Sequence, residues 1–167
     1  ADGFPPRGFY RGMVADRLGS VWIAADGVGV IHWRQGQARL YTEADGLPSN
    51  AVYSLTVDAH GRAWAGTQSG PAFFEGWRFH RDPVLRALDG KRIFTIYGDR
   101  AGTVWFAPLD MGVCRLVGDA LDCVDDLAGM HAETVRSMFE DREGNLWFGT
   151  TSSGLHKLSQ SKIVTVL

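Results

Sequence analysis

Proton-transfer catalysis in this chain would rest on its five histidines, His32, His60, His80, His131 and His156. Imidazole is the side chain that most readily gives and takes a proton near neutral pH. An elimination or hydrolysis site needs one histidine beside an acid–base partner. The five scatter over third strands, fourth strands and loops of the repeat set out below, and no two share an equivalent place. They read as surface or edge histidines. No Ser-His-Asp set stands out. Gly27-Val28-Gly29 precedes a strand, whereas a phosphate-cradling glycine loop opens a helix. Asp125 and Asp126 are adjacent, point apart in an extended loop, and read as solvated. Four further aspartates, Asp16, Asp58, Asp99 and Asp141, recur at regular spacing. Calcium takes roughly six to eight oxygen ligands. Each of these turns brings one recurring carboxylate, so the aspartates read as turn residues that bond backbone amides. No catalytic residue, cofactor or metal is expected.

What holds these side chains is a repeat. Asp-x-x-Gly-x-x-Trp occurs at Asp16/Gly19/Trp22, Asp58/Gly61/Trp64, Asp99/Gly102/Trp105 and Asp141/Gly144/Trp147, with tryptophan intervals of 42, 41 and 42 residues. In the second unit, 52–57, 62–66, 72–75 and 77–80 read as four short strands, joined by turns whose Asp and Gly residues have the chemistry turns require. Four-stranded units at this period are propeller blades. The expected fold is therefore an all-β propeller segment of four consecutive four-stranded blades, approximately 1–43, 44–86, 87–128 and 129–167. One tryptophan per blade supplies a buried ring at each blade-to-blade contact.

Composition narrows the function. The net charge is −2, with 22% charged and 45% hydrophobic residues. A nucleic-acid binder would carry a basic excess. No run of eighteen apolar residues exists to span a bilayer, so neither nucleic acid nor direct membrane contact by this segment is expected. The opening residues, Ala1-Asp2-Gly3-Phe4-Pro5, do not form a signal peptide. They restate Ala44-Asp45-Gly46-Leu47-Pro48, so the chain is expected to begin at a repeat boundary.

Gly46-Leu47-Pro48-Ser49-Asn50 followed by Asp58-Ala59-His60-Gly61-Arg62-Ala63-Trp64-Ala65-Gly66-Thr67 resembles the bacterial two-component regulator propeller repeat. Asp141 to Thr150 matches its core best. Ala24-Ala25 and Ala107-Pro108 replace the Gly-Thr pair in the first and third units, where altered loops are expected. The resemblance implies the periplasmic sensing region of a membrane-bound regulator such as a hybrid histidine kinase or a diguanylate cyclase, a region that senses oligosaccharides in some relatives. It also implies a larger propeller of about seven blades, roughly 290 residues at this period, with a closed four-bladed ring as the alternative. The partners implied are a small molecule or oligosaccharide, and either the remaining blades or a second copy of the chain. Two other readings stand beside the sensor: a propeller lyase resembling the streptogramin lyases, and a passive protein-interaction scaffold.

Propeller ligands sit at the mouth of the central channel. Loops joining second to third strands, and loops joining blades, reach one face. From them come five candidate ligand-binding residues: Asp26, Gln68, Arg86, Asp110 and His131. The loop from Arg81 to Asp89 holds more charge and apolar bulk than a turn needs. It either lines a site or packs against a partner, and the first is favoured. Finally, a two-residue turn at Gly118-Asp119 would place Cys114 opposite Cys123 in a non-hydrogen-bonded pair, close enough for a disulfide. Two reduced, half-buried cysteines are the alternative.

Overall fold

A computed structural model describes residues 8–124, 134–159 and 162–166. Its strands form four antiparallel sheets. The first blade comprises β1 (Phe9–Ala15), β2 (Val21–Asp26), β3 (Gly29–Arg34) and β4 (Gln37–Tyr41). The second comprises β5 (Val52–Val57), β6 (Ala63–Thr67), β7 (Gly70–Glu75) and β8 (Arg78–His80). The third comprises β9 (Ile93–Gly98), β10 (Val104–Pro108), β11 (Val113–Val117) and β12 (Ala120–Val124). The fourth comprises β13 (Val135–Glu140), β14 (Leu146–Thr150), β15 (Leu155–Ser159) and β16 (Lys162–Thr165). Each sheet is a meander in chain order. Strand bounds in the second blade differ from the sequence expectation by one or two residues, and Trp77 lies in the turn before β8, 73% exposed. First strands of successive blades meet, β1 with β5, β5 with β9 and β9 with β13. The blades therefore converge on their first strands, which line the channel.

The repeated aspartate closes the turn between first and second strands and also holds the tryptophan. In the second blade, Asp58 Oδ1 accepts the backbone N–H of His60 and of Arg62, both at 2.9 Å. Its Oδ2 accepts the Trp64 indole N–H at 2.9 Å. The same indole bond recurs at 3.3 Å for Trp22, 2.8 Å for Trp105 and 2.8 Å for Trp147.

Within each second strand, the tryptophan faces the following blade and the next residue faces the preceding one, as strand alternation requires. Trp22 packs on Phe74 and Phe79 of the second blade. Trp64 meets Phe106 of the third edge-on at 5.8 Å, and Trp105 meets Phe148 of the fourth at 6.1 Å. Three of the four tryptophans are buried. Trp147 is not: the expectation of four buried rings fails there because its face has no following blade against it among the described residues.

The glycine two residues after Trp64 answers a close approach. A Cβ on Gly66 would stand 2.7 Å from Ser54 Oγ and 3.0 Å from the Ile93 carbonyl oxygen of the next blade. The first blade reverses this pair, with Gly12 opposite Ala24. In blades two and four the following threonine seals the loop. Thr67 Oγ1 donates to the Gly70 carbonyl at 2.7 Å, and Thr150 Oγ1 to that of Gly154 at 3.0 Å. Without the threonine, the first blade has a two-residue loop and the third a four-residue loop, the same lengths as in blades two and four respectively, so the expected alteration does not appear in loop length.

Two findings concern loops and sulfurs. Residues 83–88 form a 3-10 turn begun by Asp82, whose side chain accepts the Val84 N–H, and Leu85 and Leu88 are buried beside Trp64 and Ile93. The apolar bulk of this loop thus fills the seam between blades two and three. Val117 pairs with Ala120 and Cys114 with Cys123, and Cys114 and Cys123 are joined by a disulfide.

Candidate functional site at the channel mouth

Every first strand carries one irregularity near its start. Register against the second strand jumps between Tyr10 and Gly12, between Val52 and Ser54, between Ile93 and Thr95, and between Val135 and Ser137. The residues left unpaired are Arg11, Tyr53, Phe94 and Arg136. A β-bulge turns one side chain out of the regular alternation. Here four bulges turn four side chains toward one place. With Arg92, they line a cavity of about 460 Å³.

The mouth lies on the face expected for the loops. In blades two, three and four the loop after the second strand bonds the segment leading into the first strand of its own blade: Gln68 N–H to the Ala51 carbonyl (2.9 Å), Leu109 to Arg92 (2.8 Å) and Thr151 to Thr134 (3.1 Å). In the second blade that lead-in is itself pinned. Glu43 N–H donates to Asn50 Oδ1 at 2.8 Å, and Asn50 N–H to Glu43 Oε1 at 2.9 Å.

Cations and rings alternate around the cavity. The Tyr53 and Phe94 rings are 5.4 Å apart and tilted by 35°. The Arg11 guanidinium lies 5.8 Å from the Tyr53 ring. That of Arg92 lies beside both rings, 5.9 Å from Tyr53 and 5.5 Å from Phe94. Arg136 stands over Phe94 at 4.4 Å. Such contacts hold a guanidinium in place without neutralising it.

Two of the candidates read from sequence act at this mouth. Asp26 Oδ2 accepts from Arg11 Nε at 3.0 Å and Nη2 at 2.6 Å. Gln68 Oε1 accepts both the Tyr53 hydroxyl at 2.5 Å and Arg92 Nε at 2.8 Å. Each orients the lining from behind. Arg86 is exposed on the 83–88 turn, and Asp110 is exposed on the β10–β11 loop with φ of 60°. Neither lines the cavity. His131 lies outside the described residues.

Sequence reasoning missed Arg11, Tyr53, Arg92, Phe94 and Arg136. A signal existed for four of them: each bulge residue stands eleven positions before its blade's tryptophan.

The described histidines sit elsewhere. His32 stacks on Trp22 at 4.0 Å, and burial pushes its pKa down. His156 is buried within β15, which corrects its reading as an edge residue. His60 lies in a turn, and His80 lies against Phe73. None of these four lines the cavity.

Residues 46–69 and 129–152 match the two-component regulator propeller family model. No curated protein matches the chain. Among solved structures, the extracellular domain of BT3049 from B. thetaiotaomicron, described as a hybrid two-component system, superposes with a TM-score of 0.76 at 18% identity, covering 93% of this chain and 23% of that one. The corresponding domain of BT4673 from the same organism gives 0.73 at 16% identity, covering 96% and 25%. Virginiamycin B lyase from Staphylococcus aureus gives 0.76 at 15% identity, covering 96% and 56%. The chain thus spans about a quarter of the two-component structures and just over half of the lyase.

Proposed function

We infer that this chain, a run of β-propeller blades carrying two-component regulator propeller repeats, is the ligand-sensing input segment of an extracytoplasmic signalling protein. The observation that carries the reading is the convergence of four bulges on one cavity. A bulge disturbs the ladder that holds a blade together. A purely structural repeat would gain more from a regular strand whose side chain packs between blades. Instead each blade turns one large side chain, Arg, Tyr, Phe or Arg, toward the channel mouth.

On this reading the segment binds and does not transform. Signal output would belong to a kinase or cyclase elsewhere in the receptor, and the segment would face the periplasm. Similarity in fold to the virginiamycin lyase favours a second reading, in which the mouth is a catalytic pocket. Acid–base chemistry there would need a proton carrier, and of the lining side chains the Tyr53 hydroxyl alone has that chemistry, its proton donated to Gln68 Oε1.

A thermal-shift screen of the intact receptor with oligosaccharides and small metabolites tests the proposal. At least one compound should raise the melting temperature, and Tyr53→Ala with Phe94→Ala should abolish that rise while the far-ultraviolet spectrum stays unchanged. A compound recovered chemically altered would support the lyase reading. A stabilising compound indifferent to Tyr53 and Phe94 would move the input site away from the mouth.

A further inference from the structure

Three guanidinium groups converge on the cavity, and they are not equally neutralised. Arg11 is matched by Asp26. Arg92 is oriented by Gln68, a neutral acceptor, and Arg136 by the face of Phe94. Among the described residues, neither Arg92 nor Arg136 has a carboxylate within ion-pair distance. The lining therefore holds two uncompensated positive charges beside one phenyl ring, 5.5 and 4.4 Å from the Phe94 centroid, in a chain whose net charge is −2.

Structural needs do not account for this pattern. Surface arginines that only solubilise a protein point outward and apart, because like charges repel. These are drawn together over aromatic faces and held there. Gln68 is informative in this respect. An Asp or Glu at its position would orient Arg92 and cancel its charge, whereas the amide oxygen orients it and leaves the charge in the cavity. Its second bond, from the Tyr53 hydroxyl, fixes the neighbouring ring in the same step.

We propose that the channel mouth binds a small ring compound bearing a carboxylate, the carboxylate held between Arg92 and Arg136 and the ring laid against Tyr53 and Phe94. A guanidinium presents paired N–H donors that match a carboxylate, and the charge-assisted bonds are stronger than neutral ones. Tilted aromatic rings offer flat apolar surface to one face of a ring. A cavity of about 460 Å³ has room for one or two rings. Arg11, already paired, is a positioning residue beside Tyr53. A sugar acid and an aromatic acid share this chemistry. The proposal rests on reading the mouth as the input site and adds the class of ligand.

Calorimetric titration of the intact receptor separates the possibilities. The probes are galacturonate and benzoate, their neutral counterparts galactose and benzyl alcohol, and inorganic sulfate. One of the two carboxylates should bind, at least about tenfold tighter than its neutral counterpart, and more weakly as salt is raised. Whichever binds identifies the source of the ring. Arg92→Gln and Arg136→Gln should each weaken binding about tenfold or more, while Arg86→Gln, altering an exposed arginine outside the cavity, should leave it unchanged. Equal binding of acid and neutral counterpart, or of sulfate and the acid, would overturn the proposed class, as would binding by neither carboxylate. If a neutral compound from the thermal-shift screen still requires Tyr53 and Phe94, the input site stands and only the anionic ligand falls. If carboxylate binding ignores Arg92, Arg136, Tyr53 and Phe94 alike, both readings fall together.

Discussion

The carboxylate of Asp58 meets the His60 N–H, the Arg62 N–H and guanidinium, and the Trp64 indole at once, and it is only 4% exposed. Burial pushes its pKa up. The bonds from Trp64 and from Arg62, backbone and side chain, outweigh that and hold it below the ordinary carboxylate value. For Asp141, burial again works upward and is overcome by Trp147, Asn145 and the Lys157 charge, which bring it to about 2. A carboxyl with a lowered folded pKa contributes stability above its unfolded value of about 3.9, and loses it as pH falls through the folded value. The melting temperature, followed by circular dichroism, should thus hold down to about pH 5 and fall between about pH 4 and pH 2. Asp141→Asn should be less stable at neutral pH and show a smaller acid drop, and a profile flat to pH 2 would contradict this. Asp58→Ala leaves several buried donors unmet and should cost roughly 3 kcal/mol in denaturant unfolding. This pairing was half legible in sequence. The six-residue spacing of Asp and Trp is plain, but the indole bond emerges only once the turn brings the two strands back to back. The mouth residues were harder to see. Arg11, Tyr53, Phe94 and Arg136 are of three different residue types with no charge common to all four, and a bulge leaves no residue signature beyond a constant distance from the tryptophan.

Blades were legible because their punctuation is chemical: Asp and Gly at the turn, Trp in the second strand, Gly where the next blade presses close. The loop from 81 to 89 was misjudged because composition alone cannot tell a ligand-lining loop from a plug. Its register on the core decides, with Leu85 and Leu88 inward and Arg86 outward. Leu88→Ala should therefore cost about 2–5 kcal/mol, while Arg86→Ala should stay within about 0.5 kcal/mol of the parent protein. Urea unfolding of both variants checks the contrast, and a costly Arg86→Ala would reassign the loop. The β11–β12 hairpin was more tractable, since a two-residue turn fixes the register outward from Gly118-Asp119. Mass spectrometry of unreduced protein from an oxidising compartment should find no free thiol at Cys114 or Cys123. Because the closed loop is short, reduction should lower stability by only about 2–3 kcal/mol. Two alkylatable thiols would remove the bond.

Blade-to-blade packing has a direction. Each tryptophan face looks forward, and each first strand presents the next blade's opposite face to it, so any run of blades ends in two unlike surfaces. On the fourth blade's forward face, Phe139 stands opposite Trp147 in the ladder and is 63% exposed, whereas the equivalent ladder partners Thr56 and Tyr97 are largely covered by the next blade. On the first blade's rear face, Met13 is 70% exposed, whereas its counterparts Leu55, Ile96 and Met138 pack into the seams. These surfaces are complementary in kind, since each has the composition of the face that covers the other inside the run. Contiguous apolar surface of this sort drives association. A blade of the same design has the composition to cover either face. The 167-residue chain by itself should therefore pair head to tail with a second copy and sediment above monomer mass at micromolar concentration. Phe139→Asp should shift it toward monomer, because a carboxylate would be buried without a partner in the new seam. Leu18→Asp, at an exposed turn, should not. A monodisperse monomer of the unaltered chain in sedimentation velocity would mean that something within the chain already covers both faces. The open run of four blades described by β1 through β16 would then have to close on itself.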